Sequence, residues 1–132
     1  MPRSNSKTVI VVEDVVSVSH ALTRVLRLGG LEPKAYPSAE AFLDSATEID
    51  AVCMIIDIQL PGMSGFALRE RLAKAGALPP IIFMTAYDEP EAREQAATAG
   101  AAAFLAKPFS GRALLEIIQR TAKLPPDELR VQ

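Results

Sequence analysis

Residues 51–65 read Ala-Val-Cys-Met-Ile-Ile-Asp-Ile-Gln-Leu-Pro-Gly-Met-Ser-Gly, and they carry the clearest structural pattern of the chain. Its first part, Ala51–Ile56, is an unbroken apolar run that is too short for a typical helix and lacks polar alternation, which indicates a strand covered on both faces. The strand ends at Asp57, and Leu60–Gly65 then forms a loop with proline and glycine. The helix Phe66–Ala75 is expected to follow, so the segment predicts one strand, one loop and one helix.

Two similar units precede this segment. Thr8–Val12 is a β-branched run that predicts a strand, and the helix after it is expected to end at Gly29-Gly30. The apolar residues that recur at helical spacing on this helix are Val15, Val18, Leu22, Val25 and Leu26. In the second unit, Glu32–Tyr36 is a weaker strand, and Ser38 is expected to cap a short helix through about Ala46.

Two more units follow it. Pro80–Met84 is an apolar run that predicts the fourth strand, and the landmarks of the next helix are Asp88 with Glu91 at its start, Pro90 in its first turn and Gly100 at its end. Ala101–Ala106 predicts a fifth strand of small residues, which Lys107-Pro108 ends. Ser110 is expected to cap a last helix. The residues expected on the inner face of that helix are Leu114, Ile117, Ile118 and Leu124.

The repeated alternation of strand and helix predicts an α/β fold with a five-stranded parallel sheet. Parallel neighbours need right-handed crossovers, and each apolar strand must be covered twice, so helices are expected on both faces. The length of 132 residues suits one domain, expected over residues 8–124. Residues 1–7 are expected to be a disordered tail and residues 125–132 a linker stub or tail, which favours an excised part of a longer protein.

Composition argues against several classes of protein. The formal net charge is −2, and lysine and arginine are scattered, so direct contact of this segment with nucleic acid is not expected. No apolar run approaches the roughly 20 residues that a membrane span needs, and the polar start lacks a secretory signal. The single cysteine, Cys53, cannot form an intrachain disulfide, which suits a reducing cytosol. A cytoplasmic protein without membrane contact is therefore expected.

Polar residues stand where the predicted strands end. Glu13 and Asp14 follow the first strand, Asp57 follows the third, and Thr85 and Lys107 follow the fourth and fifth. Because all strands of a parallel sheet point the same way, these side chains should converge at one edge, where open α/β sheets bind ligands. Clustered carboxylates repel one another unless a cation neutralises them, and oxygen ligands suit Mg²⁺, with Mn²⁺ as the alternative. A carboxylate nucleophile, a lysine and a hydroxyl beside such a metal fit phosphoryl transfer.

Fragments along the chain resemble the receiver domain of bacterial two-component response regulators, a chemotaxis-regulator-like fold, and the resemblance covers residues 7–124. Val11–Asp14 is similar to the acidic pair of that family, and Ile55–Gly65 is similar to its phospho-acceptor strand and loop. Met84–Ala86 is similar to the segment with its switch hydroxyl, and Ala106–Phe109 is similar to its lysine-proline turn. Each fragment is weak alone, but their order and positions together are highly specific. The resemblance implies a flavodoxin-like sheet with the strand order 2-1-3-4-5.

The resemblance also implies a role for each residue of the expected site. Asp57 is the implied phosphorylation site. The implied metal ligands are Glu13, Asp14, Asp57 and the backbone carbonyl of Gln59. The residues implied to bind the phosphoryl group or to switch after its transfer are Lys107, Thr85, Ala86 and Phe104. The peptide bond before Pro108 is expected to be cis, and Gln59 and Tyr87 occupy positions that tune the lifetime of the phosphoryl group.

The implied function is that of a signalling switch in a phosphorelay. A sensor histidine kinase or a phosphotransfer protein is expected to supply the phosphoryl group to Asp57, and the fourth helix, fifth strand and fifth helix form the expected output surface. A homodimer through the same surface is a further expectation. The domain is not classed as an enzyme, because it acts only on itself through phosphorylation and slow autodephosphorylation. Regulation of transcription through an output domain outside this chain is the expected output.

Other interpretations remain open at this point. Judged singly, Glu13 and Asp14 could begin a helix, and Phe104 could be an ordinary core residue. For the whole chain, the main alternative is a metal-dependent phosphatase or phosphotransferase that acts on a small molecule. The Asp-x-Asp pattern of the best-known aspartyl phosphatases is absent, since Gln59 stands two positions after Asp57. A degenerate receiver that only binds other proteins is the second alternative.

Overall fold

A computed structural model describes residues 7–45, 49–76 and 78–123. Five strands and five helices alternate along these residues, in the order β1 Thr8–Val12, α1 Val16–Leu28, β2 Glu32–Tyr36, α2 Ala39–Ser45, β3 Cys53–Asp57, α3 Gly65–Ala75, β4 Ile81–Thr85, α4 Pro90–Thr98, β5 Ala103–Ala106 and α5 Gly111–Thr121. The predictions for Ala46, for Leu124, for residues 1–6 of the tail and for residues 125–132 lie outside the described residues.

The strands form one parallel sheet in the order β2-β1-β3-β4-β5, which confirms the predicted α/β class and topology. The central strand, β3, lies between β1 and β4. Its pairing aligns Val12 with Ile56 on one side and Asp57 with Met84 on the other. Thr85 in turn pairs with Ala106 of β5. The carboxyl ends of four strands therefore reach the same edge of the sheet at nearly the same level.

Helices cover both faces of the sheet. The buried residues of α1 and α5 pack on one face against Val9, Val11 and Ile55, and those of α2, α3 and α4 pack on the other against Ile56 and Phe83. Every residue of β3 and β4 is buried. This explains why these two strands are continuous apolar runs, because each of their faces contacts a helical layer. Burial of apolar side chains on both faces holds the strands in one register. This register sets the position of their carboxyl ends, where the polar residues lie.

The first helix begins later than its apolar periodicity suggests. Val15 is the N-cap residue, has an extended backbone and is 44% exposed. Its backbone N–H donates to the Glu13 carboxylate at 3.0 Å, so this residue belongs to the turn before the helix. The expectation that Val15 shares the apolar face of α1 is wrong for this reason. Leu22 and Leu26 are fully buried as predicted, while Val18 packs against the same cluster with partial exposure.

The fourth helix is capped differently from the prediction. It begins at Pro90, and Glu89 rather than Asp88 is its N-cap residue. The Asp88 carboxylate instead accepts two hydrogen bonds from the Arg93 guanidinium, at 2.6 and 3.0 Å. Charge-assisted bidentate bonds of this kind are stronger than a single bond to a backbone amide. The Asp88 carboxylate therefore binds the guanidinium of Arg93 and does not cap the helix. The prediction of Asp88 as the helix start is wrong, and that of Pro90 in the first turn is confirmed.

Several element bounds differ slightly from the predicted ones. The third strand starts at Cys53 instead of Ala51, the fifth strand starts at Ala103 instead of Ala101, and α3 starts at Gly65. Asp57 is the last residue of β3, in agreement with the predicted end of the strand. Shifts of this size are usual at the ends of elements. They leave the polar residues at the carboxyl edge, where the sequence predicted them.

Gly65 brings α3 against the end of β3. A Cβ atom at this position would lie 2.5 Å from the backbone oxygen of Asp57 and 3.0 Å from the Cγ2 of Ile56. We expect Gly65→Ala to lower the free energy of unfolding by about 1–3 kcal/mol, because the backbone contact forces the helix away from the strand. This loss should exceed the gain of about 1 kcal/mol that alanine brings in helix propensity. Chemical denaturation measures the change.

Gly111 provides a matched control for this substitution. Both glycines are the first residue of a helix, and both follow a serine whose hydroxyl oxygen accepts a backbone N–H in the first turn, Ser64 for α3 and Ser110 for α5. At Gly111 the added Cβ would meet only the side chain of Val25, at 3.3 Å. Gly111→Ala should therefore keep most of the gain in helix propensity, up to about 1 kcal/mol, and should not destabilise the protein. Equal losses in the two variants would contradict the proposed backbone clash.

Candidate functional site

Four strand ends assemble the site. Glu13 and Asp14 directly follow β1, Asp57 ends β3, Thr85 ends β4, and Lys107 directly follows β5. Carboxylate oxygens of Glu13, Asp14 and Asp57 lie within 4.8 Å of one another. Glu13 and Asp57 are buried, with 1% and 3% exposure, and Asp14 is partly exposed. The structure therefore brings the three predicted carboxylates together at the edge that the parallel sheet defines.

Lys107 ties two of these carboxylates together. Its ammonium group donates to Oε1 of Glu13 and to Oδ2 of Asp57, in both cases at 2.8 Å. The Lys107 side chain is 16% exposed, so this ion triad is largely withdrawn from water. Three carboxylates against one ammonium leave a formal excess of two negative charges in the site. This residual charge is what a divalent cation would neutralise.

The environment shifts the pKa of two groups in this triad. Burial raises the pKa of Glu13 above its ordinary value, and the nearby charge of Asp57 adds to the rise, although the hydrogen bonds from Lys107 and from the Val15 amide oppose it. Burial alone would lower the pKa of Lys107. Its hydrogen bonds to Asp57 and Glu13 outweigh burial and raise that pKa, so the amine stays charged at neutral pH.

Backbone amides fix the orientation of the same two carboxylates. The N–H of Gln59 donates to Oδ1 of Asp57 at 2.8 Å, and the N–H of Val15 donates to Oε2 of Glu13 at 3.0 Å. Each carboxylate thus receives one bond from the amine of Lys107 and one from a backbone amide. Side chains held at both oxygens sample few rotamers, which preserves the cluster despite its mutual repulsion.

The donor set fits a hard divalent cation. All three clustered side chains, Glu13, Asp14 and Asp57, offer carboxylate oxygens, and Mg²⁺ prefers oxygen ligands, often one or two carboxylates with water. Asp14 is partly exposed, so the cluster opens to solvent on that side. Among the described residues, this is the group of acidic, histidine and cysteine side chains whose spacing suits a metal ion. Cys53 is buried in the core and burial raises its pKa to about 12.

Thr85 lies beside Asp57 on the neighbouring strand and is fully buried. Its hydroxyl group donates to the side-chain oxygen Oε1 of Gln59 at 2.8 Å. The same hydroxyl oxygen accepts the backbone N–H of Tyr87 at 2.9 Å. The Tyr87 residue itself is 62% exposed, and Gln59 is also exposed. The structure therefore joins three of the predicted residues, Gln59, Thr85 and Tyr87, in one hydrogen-bonded group.

The turn after β5 borders an open groove beside the site. The peptide bond between Lys107 and Pro108 is cis. The groove has a volume of about 500 Å³, is mainly apolar, and is lined by Ser17, Val18, Ala21, Ala86, Lys107, Pro108 and Phe109. Ala86 is exposed and thus leaves the approach to Lys107 free of a large side chain. Loop residues and α1 together therefore form a rim beside the carboxylate cluster.

Phe104 lies on β5, three residues before Lys107, and pairs with Phe83 of β4. Its ring is partly buried against the cluster under α2, α3 and α4, and the guanidinium carbon of Arg93 lies 4.7 Å from the ring centroid. Arg93 is the residue that also binds Asp88. Sequence reasoning assigned no role to Arg93, because a spacing of five positions from Asp88 is not one of the spacings that bring side chains together on a helix. The β4–α4 turn is thereby linked to the aromatic residue of β5.

The Asp88–Arg93 pair leads to a prediction about pH. The hydrogen bonds from Arg93 hold the pKa of Asp88 below its ordinary value. We expect Arg93→Met to return that pKa toward the ordinary range of an aspartate, as measured by NMR titration of the side chain. A lowered pKa stabilises the folded protein above the unfolded-state pKa, and this contribution disappears as the pH falls through the folded-state value. The native chain should therefore lose its stability advantage over the variant in acid.

Arg112 offers the control for that measurement. It is an exposed arginine near the start of α5 and pairs with Glu116 at 3.5 Å. Arg112→Met should leave the titration of Asp88 unchanged, because this arginine belongs to another helix. An Asp88 titration that is identical in the native chain and in Arg93→Met would contradict the proposed origin of the shift.

Glu40 is a second residue that sequence reasoning missed. Its carboxylate accepts the backbone N–H of Met63 at 2.9 Å, and this bond lowers the pKa of Glu40. The bond crosses from α2 to the loop after Asp57, and Gly62, with a φ of 74°, brings the loop backbone close to the same carboxylate. The two partners are 23 positions apart and share no motif, so the sequence carries no signal for this contact.

Comparisons with known proteins agree with this geometry. A family model described as the response regulator receiver domain matches residues 9–119. The response regulator protein TmoT of Ectopseudomonas mendocina is 35% identical over 120 residues, which cover 91% of this chain and 54% of that protein. The transcriptional regulatory protein FixJ of Azorhizobium caulinodans is 34% identical over 114 residues, which cover 86% and 54% of the two chains.

Solved structures show the same similarity. A response regulator receiver protein from Burkholderia phymatum superposes with a TM-score of 0.79 at 36% identity, covering 89% of this chain and 96% of that one. The structure titled FixJ-N superposes with a TM-score of 0.82 at 30% identity, covering 93% and 98%. The chain therefore belongs to the response regulator receiver domain family.

Membership of this family settles the general character of the protein. Receiver domains are signalling domains of two-component systems, interact with histidine kinases or phosphotransfer proteins, and use Mg²⁺ at an acidic pocket. The chain spans about half the length of the curated relatives TmoT and FixJ. Across residues 7–45, 49–76 and 78–123, no helix has the length and apolar character needed to cross a membrane.

Proposed function

We propose that this chain accepts a phosphoryl group on Asp57 from a histidine kinase or phosphotransfer protein, in a reaction that depends on Mg²⁺. The observation that carries the proposal is the buried carboxylate of Asp57, held at 2.8 Å from the Lys107 ammonium within a cluster of three carboxylates. The chain acts on itself and is a regulator instead of an enzyme with an outside substrate. We place its action in the cytoplasm, where a reduced Cys53 is expected.

The position of Asp57 in the sheet supports its choice as nucleophile. Its strand is central, so the acidic pair after β1 lies on one side and Thr85 at the end of β4 lies on the other. Glu13 and Asp14 follow β1, which is not a neighbour of β4, so Asp57 lies between them and Thr85. Asp57 is therefore the carboxylate best placed to receive a phosphoryl group whose oxygens need both a cationic partner and a hydroxyl donor.

The chemistry is the transfer of a phosphoryl group from a donor to the Asp57 carboxylate. A carboxylate oxygen of Asp57 forms a bond to phosphorus while the bond from phosphorus to the donor nitrogen or oxygen breaks, and the donor leaves with that electron pair. Lys107 and Thr85 stabilise the oxygens of the transferring group. Glu13, Asp14, Asp57 and the backbone carbonyl of Gln59 would hold Mg²⁺, which when bound would neutralise charge on the phosphoryl oxygens. Later attack by water releases phosphate and restores the carboxylate.

The proposed output surface comprises α4, β5 and α5. Thr85 adjoins β5 through its pairing with Ala106, and Phe104 of β5 contacts Arg93 of α4. A phosphoryl group that draws the Thr85 hydroxyl toward Asp57 would shift the preferred positions of these neighbours, with Phe104 moving as the aromatic switch. We propose that the altered surface acts on transcription through an output domain outside this chain. We also propose that two copies of this chain form a homodimer through the same surface. An unchanged molar mass in light scattering after phosphorylation would reject the dimer.

The test uses acetyl phosphate as a small donor and intact mass spectrometry as the readout. With Mg²⁺ present, the chain should gain the mass of one phosphoryl group, and peptide mapping should place it on the fragment with Asp57. Omitting Mg²⁺ should suppress the gain. A chain that gains no mass, or gains it on another residue, would reject the proposal. Continuous release of phosphate from an unrelated small-molecule ester would instead favour a phosphatase.

A further inference from the structure

The side chain of Gln59 accepts the only hydrogen bond that the Thr85 hydroxyl can donate. A threonine hydroxyl has a single O–H donor and two acceptor lone pairs. In this structure the O–H points to Oε1 of Gln59 at 2.8 Å, and the backbone carbonyl of Tyr87 lies at a longer 3.4 Å. One lone pair is used as well, since it accepts the N–H of Tyr87 at 2.9 Å. The hydroxyl is thus held from two directions.

This arrangement opposes the role that the proposed function gives to Thr85. Phosphoryl oxygens are acceptors, so a hydroxyl that binds them must donate its hydrogen to them. Thr85 cannot make that bond while it donates to Gln59. Its burial makes the exchange more demanding, because a fully buried hydroxyl has no water to bind while it changes partner. The bond to Gln59 must therefore break for Thr85 to engage a phosphoryl group.

Gln59 is also bound to the nucleophile. Its backbone N–H donates to Oδ1 of Asp57 at 2.8 Å, while its side chain reaches Thr85 on the adjacent strand. The main chain of this residue is thereby anchored next to the carboxylate, which limits where its amide can go. A side chain that is anchored at its base and bonded at its tip is well suited to hold the resting orientation of the hydroxyl.

We propose that the Gln59 side chain is a positioning residue that latches the Thr85 hydroxyl in the resting state and so opposes the phosphorylated conformation. The inference rests on the proposed function, since it concerns the engagement of Thr85 by a phosphoryl group. It differs from control of water access, because the latch acts on the equilibrium between two conformations before hydrolysis.

The test compares the affinity of variants for fluoroberyllate, an analogue of the phosphoryl group, by calorimetry in the presence of Mg²⁺. Gln59→Met keeps the length of the side chain and removes the acceptor. We expect it to bind fluoroberyllate roughly threefold to tenfold more tightly, the effect of losing one hydrogen bond from the resting state. Gln95→Met, the same exchange at an exposed position of α4, should bind like the native chain.

A double-mutant cycle separates a latch from a general structural effect. In the background of Thr85→Val, which has no hydroxyl, Gln59→Met should no longer change the affinity for fluoroberyllate. Thr85→Ala gives a second background if the valine variant is unfolded. A readout without metal follows from the same cycle: Gln59→Met should lower the denaturant midpoint of the native chain but leave that of the Thr85 variants unchanged.

The outcomes distinguish the latch from the proposed function. A native chain that binds no fluoroberyllate would reject the proposed function itself. A native chain that binds it with the same affinity as Gln59→Met would reject the latch and leave the function in place. A gain in affinity that persists unchanged in both Thr85 backgrounds would also reject the latch, because the effect would then not pass through the hydroxyl.

Discussion

Asp57→Asn should gain no covalent phosphate from acetyl phosphate and Mg²⁺, whereas the native chain gains one phosphoryl group. The carboxamide lacks the negative charge and the second oxygen that a nucleophile and metal ligand need at this position. Its one oxygen can still accept the N–H of Gln59, which reaches Oδ1 of Asp57 at 2.8 Å. The variant should therefore lose phosphorylation but keep the hydrogen bond from the backbone N–H of Gln59.

The same substitution should not unfold the protein. It removes one of three mutually repelling carboxylates, and Lys107 keeps its bond to Glu13 at 2.8 Å. We expect its stability to equal or exceed that of the native chain in the absence of Mg²⁺. Asp44→Asn, at an exposed position of α2, is the matched control and should be phosphorylated like the native chain. A mass gain of equal size in Asp57→Asn would exclude Asp57 as the acceptor.

Lys107→Met should slow phosphorylation by about 100-fold to 1000-fold, the usual effect of removing one charged or polar donor that stabilises a transition state. The amine lies 2.8 Å from Asp57, where the phosphoryl oxygens would develop their charge. Methionine keeps most of the volume and removes the charge. Time courses of the mass gain at a fixed donor concentration measure the rate. Lys74→Met, at an exposed lysine in the last turn of α3, should leave the rate unchanged.

Lys107→Met should also reveal the repulsion within the acidic cluster. Breaking a buried ion pair often lowers stability by about 3–5 kcal/mol, but this lysine is 16% exposed, so we expect a loss of about 1–3 kcal/mol without metal. The pKa of Glu13, already raised by burial, should rise further. A carboxylate with a raised folded-state pKa destabilises the folded protein as the pH increases through that range, so the deficit should shrink in acid.

Mg²⁺ provides the check on this interpretation. A divalent cation that binds the folded cluster should recover much of the stability that Lys107→Met loses, because it replaces the missing positive charge. Thermal or chemical unfolding with and without Mg²⁺ measures the recovery. A variant whose stability does not respond to Mg²⁺ would show that the loss arises from side-chain packing instead of from charge.

The fold was predictable because its signals are local. The apolar strands β3 and β4 stop at polar residues that need a partner when buried, Asp57 and Thr85, and a proline follows each within five positions. Because the strands are parallel, their carboxyl ends all lie at one edge of the sheet. The approach of Glu13, Asp14 and Asp57 could be expected on this ground, since it requires only that the strands run the same way.

Contacts between side chains on different elements were less predictable. Asp88 has the pattern of a helix cap, and only the position of Arg93 on the folded α4 shows that the carboxylate is already bound. Val15 follows the apolar periodicity of α1, yet its amide is bound by Glu13 in the preceding turn. In both cases a local rule was outweighed by a charged group whose reach depends on the three-dimensional path of the chain.

Hydrophobic periodicity and turn residues act over a few positions along the chain, so the sequence predicts the class of fold, the strand ends and the polar residues at the carboxyl edge. The partners of those residues become visible only in the folded chain: Lys107 with Glu13 and Asp57, and Thr85 with Gln59. Those pairings depend on distances of a few ångströms between separate strands. Such distances are set by how the two helical layers pack on the sheet, which no local pattern encodes.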